Sequence, residues 1–102
     1  MASITRPRSA TSVVLDIGGE VGALVLYTPV AYLGREIEVS PAGDGARRTH
    51  TAVLERRAAG GAFCAAVYPA LAAGEWRVWG DDESLPSTVR IEGGTVAELD
   101  WR

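Results

Sequence analysis

The stretch 63–79, FCAAVYPALAAGEWRVW, constrains the fold of this chain more than any other. Alternation predicts a strand over residues 63–68, with Phe63, Ala65 and Val67 on the core face and Cys64, Ala66 and Tyr68 on the other. Residues 69–74 (PALAAG), bounded by Pro and Gly, read as a connection from which Leu71 tucks back under the core. A second strand follows to Trp79, in which Trp76 and Val78 face away from Glu75, Arg77 and Trp79.

The rest of the chain repeats this grammar of short apolar runs and turn residues. Residues 12–17 (SVVLDI) predict a strand that ends at Gly18 and Gly19. Residues 21–28 (VGALVLYT) predict one apolar on both faces and closed by Pro29, with Leu24 and Leu26 opposite Val25 and Tyr27. A short apolar connection carrying Tyr32 and Leu33 leads into residues 36–40, where Ile37 and Val39 take the core side and Glu36 and Glu38 the water side.

After the PAGDG turn, residues 47–57 (RRTHTAVLERR) predict one further strand, and AAGG a hairpin loop. Beyond Trp79 a polar loop, GDDESLP, precedes Val89 and Ile91, which point inward. A Gly93–Gly94 turn and a last strand with Ala97, Leu99 and Trp101 on one side complete the chain.

A chain of 102 residues is one domain, because a single core serves about 50 to 200 residues. The expected organisation is a tail over residues 1–11 and one domain over residues 12–102. Seven or eight short strands without a helix predict an all-β fold, a single antiparallel Greek-key β-sandwich of the immunoglobulin or prealbumin type.

Composition bears on function mainly by exclusion. The net charge of −3 supplies no global field for nucleic acid or an anionic membrane, so neither partner is expected. No apolar run approaches the ~20 residues that span a bilayer, and the N-terminus has no apolar h-region, so the expected location is cytoplasmic. The single cysteine, Cys64, has no intramolecular disulfide partner and reads as a small buried hydrophobe.

Candidate chemistry is sparse. His50 is the only histidine, with no G-x-S-x-G elbow to serve, so it reads as a surface residue and no catalytic residue is assigned. One histidine and one cysteine cannot make a nitrogen–sulfur zinc site, and Asp81, Asp82 and Glu83 lack the spacing of a calcium loop. No metal and no cofactor are expected. The glycine pairs open no helix and read as hairpin turns. Arg47, Arg48, Arg56 and Arg57 flank one segment, with Glu36, Glu38 and Glu55 placed to offset them.

Strands apolar on both faces are the feature that points to a function. A two-layer sandwich wets its outer faces, so a second apolar face implies a partner, either a protein or another copy of the chain. Tyr27, Tyr32, Tyr68 and Trp79 are the expected partner-binding anchors.

Residues 63–80 with residues 87–101 resemble the C-terminal half of the prealbumin-like or carboxypeptidase-regulatory-like sandwiches, a group that includes the Cna-B-type surface modules. The likeness rests on Leu71, Ala73, Gly74, Trp76 and Val78, followed by a strand, a Gly-containing turn and a last strand near Asp100. It implies a structural, adhesive or partner-binding module. The lysine required for an isopeptide crosslink in that group is absent, since every basic side chain here other than His50 is arginine. The whole chain is also similar to short actinobacterial proteins sometimes labelled as phospholipases, which implies as an alternative a small lipid or ester hydrolase. A small-ligand carrier using a pocket between the sheets or between subunits is a further alternative.

Overall fold

The computed structural model describes residues 15 and 17–102. The tail expected over residues 1–11 and most of the strand expected over residues 12–17 lie outside the described residues. Leu15 and Ile17 belong to no strand and are half-buried.

Eight strands follow: β1 (Val21–Thr28), β2 (Glu36–Pro41), β3 (Thr49–Ala52), β4 (Leu54–Ala58), β5 (Gly61–Ala72), β6 (Gly74–Trp79), β7 (Thr88–Ile91) and β8 (Val96–Asp100). One 3-10 turn, Val30–Tyr32, joins β1 to β2. The strands form two four-stranded sheets, β4-β5-β1-β8 and β3-β2-β6-β7. Leu24, Leu26, Ala66, Tyr68 and Leu71 from the first pack with Ile37, Val39, Trp76, Val78 and Ile91 from the second in one core. The fold is therefore all-β and two-layered, as the alternation predicts. Pairing is antiparallel throughout except between β1 and β8, which run parallel, a departure from the wholly antiparallel expectation.

Three local features differ from the sequence reading. Residues 49–58 are two strands in different sheets, divided at Val53. Its amide donates to the Arg35 carbonyl (2.9 Å) and its carbonyl accepts from the Gly34 amide (2.8 Å), so the chain turns the corner with its backbone satisfied. The fully buried Val53 side chain fills the space between the layers.

The second correction concerns residues 69–72, which form no connection: β5 runs unbroken for 12 residues through Pro69. The register against β1 shifts here, from Leu24 opposite Tyr68 to Gly22 opposite Leu71, so Pro69 and Ala70 together face Ala23. A proline lacks the N–H of a ladder bond and is tolerated at such a bulge.

The third follows from the second. The extra residue reverses the alternation along β5, so Tyr68 and Leu71, three apart, both point into the core. Cys64, Ala66 and Tyr68 thus form the inner face, while Phe63, Ala65 and Val67 lie on the outer one, the reverse of the face assignment from sequence. Elsewhere the alternation holds: Ile37 and Val39 are buried between exposed Glu36 and Glu38, and Trp76 and Val78 between exposed Glu75 and Arg77.

Candidate interaction surface

The two outer faces differ in kind. On the β3-β2-β6-β7 sheet the outward residues neutralise one another. Arg48 pairs with Glu38 (2.9 Å), Arg90 with Glu75 (3.2 Å), and the His50 Nε2 lies 3.5 Å from a Glu36 oxygen. His50 is thus an exposed residue of this face, beside Glu36.

Trp79 belongs to this face but is not free on it. The guanidinium groups of Arg48 and Arg77 lie 3.7 and 4.1 Å from its ring centroid, and its Nε1 donates to the hydroxyl of the fully buried Ser40 (3.0 Å). The Trp79 ring is thus already engaged by two cations of its own chain.

Tyr68 is corrected more sharply. It is 2% exposed, in the core, and its hydroxyl donates to the Ile37 carbonyl of the opposite sheet (2.7 Å). Burial pushes its phenol well above the ordinary tyrosine range. It ties the two layers together and cannot reach a partner. Tyr32 packs against Trp101, with ring centroids 5.8 Å apart, and carries Arg35 over its ring at 4.6 Å.

Tyr27 is where the sequence places it, outward on β1. The outer face of the β4-β5-β1-β8 sheet carries Val25 beside Val67 and Tyr27 beside Ala65, while Leu54 stands beside Ala65 on β4. The Phe63 ring is tilted 54° to that of Tyr27, with centroids 5.6 Å apart, a favourable aromatic geometry. Leu54 is 46% exposed, and Val30, just past the end of β1, is 72% exposed. Arg56 is also on this face, yet only 5% exposed; its Nε donates to the Ala65 carbonyl (3.2 Å), and desolvation lowers its pKa.

At the Tyr27 and Phe63 end lie two open concavities, of ≈ 590 and ≈ 330 Å³, which share the lining residues Ala62, Phe63 and Arg102. The polar rim of the larger is internally paired. The Tyr27 hydroxyl donates to Glu98 (3.0 Å), and Arg102 lies 4.5 Å over the Tyr27 ring while its Nε and Nη2 donate to the two Asp100 oxygens (both 3.0 Å). Burial, then the Glu98 bond, raises the Tyr27 phenol, whereas the Arg102 bonds hold Asp100 below the usual carboxylate range.

Phe63 and Leu54 are the surface residues that the sequence reading did not choose. The sequence reading puts Phe63 on the core face because the bulge hides the phase of β5, and gives Leu54 no face because it takes residues 47–57 as one strand. The remaining candidates are dispersed: Asp81 pairs with Arg35 (2.9 Å), Asp82 accepts from the Ser84 amide and hydroxyl, and no cluster of three metal-ligating side chains occurs among the described residues. Cys64 is buried on the inner side of β5. No family model, curated protein or solved structure matches the chain.

Proposed function

We propose that the chain is a non-enzymatic assembly module that presents the outer face of its β4-β5-β1-β8 sheet to another protein, in the first instance a second copy of itself. One observation carries this reading: one outer face satisfies its charges by ion pairs, whereas the other leaves Leu54 exposed and Phe63 and Tyr27 half-buried beside an open concavity with a paired polar rim, with Val30 exposed just past the end of β1. An apolar centre with aromatic side chains and a polar margin is the anatomy of a protein interface. The crossing of the chain between sheets after β1, β3, β5 and β7 supports a Greek-key sandwich of the immunoglobulin or prealbumin type, and such scaffolds commonly serve binding.

Sedimentation velocity over a concentration series tests the reading. The wild-type chain is expected to self-associate, and Phe63→Glu or Leu54→Glu to shift it to monomer with little loss of stability. A wild-type chain that stays monomeric at every concentration would refute it.

A further inference from the structure

Arg77 stands apart from the ion pairs on the outer face of the β3-β2-β6-β7 sheet. It is exposed, and among the described residues its guanidinium makes neither an ion pair nor a hydrogen bond. Its position is nevertheless held, with the guanidinium carbon 4.1 Å from the Trp79 ring centroid. A guanidinium over an aromatic face keeps its N–H edges available to acceptors.

The ring beneath it is itself fixed. The Trp79 Nε1 bond to the buried Ser40 hydroxyl sets its plane, and Gly45 lies so close that a Cβ there would stand 3.3 Å from Cζ2. Arg48 shares the same ring at 3.7 Å, tied by Nε to the Gly45 carbonyl and by Nη1 to Glu38, both at 2.9 Å. The two guanidinium groups are therefore no more than about 8 Å apart, one Debye length at physiological ionic strength. Glu38 answers the charge of Arg48, and that of Arg77 is left.

We infer that Arg77, with Arg48 on the Trp79 platform, forms a recognition site for the side-chain carboxylate of an acidic segment in a partner protein. Arg77 can present two parallel N–H donors to the two carboxylate oxygens. Because the indole holds the cation in place beforehand, little side-chain freedom is lost on binding. The charge selects the ligand: one unit remains to be balanced, which a carboxylate matches, whereas a phosphate dianion would meet Glu38. Trp79 orders the cations that meet the partner. The site is on the sheet opposite the interface proposed above and does not depend on it.

Proton–nitrogen NMR of the three indole N–H groups in the full chain tests this, with an acetylated, amidated triglutamate peptide as the probe at about 0.15 M salt. Trp76 and Trp101 are internal controls, since both are buried and donate to the Ala72 and Pro86 carbonyls. A saturable shift of the Trp79 resonance alone is expected, and none with triglutamine. Arg77→Gln should weaken binding about tenfold or more, as befits the loss of charge-assisted hydrogen bonds. Arg77→Lys, which keeps the charge and loses the fork, should fall between the two. Phe63→Glu, on the other sheet, should bind the peptide as the wild type does, so a failure of the proposed interface is read separately. Absence of a saturable shift, equal shifts of all three indoles, tighter binding of inorganic phosphate, or an unchanged affinity in Arg77→Gln overturns the inference.

Discussion

Removing a single oxygen from Tyr68 separates a core role from a surface role. The Tyr68 hydroxyl is buried and bridges the layers through the Ile37 carbonyl at 2.7 Å. Tyr68→Phe keeps the ring and its packing but leaves that carbonyl without this donor. A net hydrogen bond contributes about 0.5–1.5 kcal/mol and a stranded buried acceptor costs about 1–3 kcal/mol, so the expected loss is about 1–2 kcal/mol. For a domain of this size that lowers Tm by roughly 5–15 °C. Urea unfolding should show a lower midpoint at unchanged slope, since the surface exposed on unfolding is the same. Tyr27→Phe is the control: its hydroxyl meets Glu98 at the exposed rim, and its effect should stay within about 0.5 kcal/mol. An unaltered midpoint for Tyr68→Phe alongside a clear drop for Tyr27→Phe would refute the assignment of Tyr68 to the core.

Gly93→Ala should destabilise by about 3 kcal/mol in thermal unfolding, because a Cβ there would overlap the Gly19 carbonyl, whereas Gly43→Ala, with open space around it, should be nearly neutral. Stability should also fall as pH rises above about 10, where tyrosines of the unfolded chain ionise. Folded Tyr68, whose pKa is raised by burial, keeps its proton there; the unfolded state then binds fewer protons, so stability declines by up to about 1.4 kcal/mol per pH unit. Below pH 10 both states hold the proton and this contribution has no slope. Denaturant titrations between pH 8 and 11 should show the decline, diminished in Tyr68→Phe.

Much of the architecture was legible because strand periodicity is local. Ile37 and Val39 between two glutamates, Trp76 and Val78 between Glu75 and Arg77, and Ala97, Leu99 and Trp101 each state their inward face without reference to a neighbour. The AAGG loop at residues 58–61, which the structure narrows to 59–60, the PAGDG turn and the Gly93–Gly94 turn were equally plain, since turns need residues that tolerate their backbone. The two-sheet fold class follows from this spacing.

The candidate surface was not legible, and the reason is one bulge and one corner. A run such as FCAAVY is apolar at every position, so its sequence fixes a strand but not which side faces in. That choice is made by pairing with β1, where the extra residue at Pro69 and Ala70 brings Tyr68 and Leu71 to the same side and turns Phe63 outward. Val53 likewise changes sheets through bonds to Gly34 and Arg35, residues distant in sequence, and so places Leu54 beside Ala65. The sequence by itself determined the strands and turns, because those depend on residues within a few positions. Only the tertiary structure decided which apolar face is core and which is surface, because register is a property of two strands together.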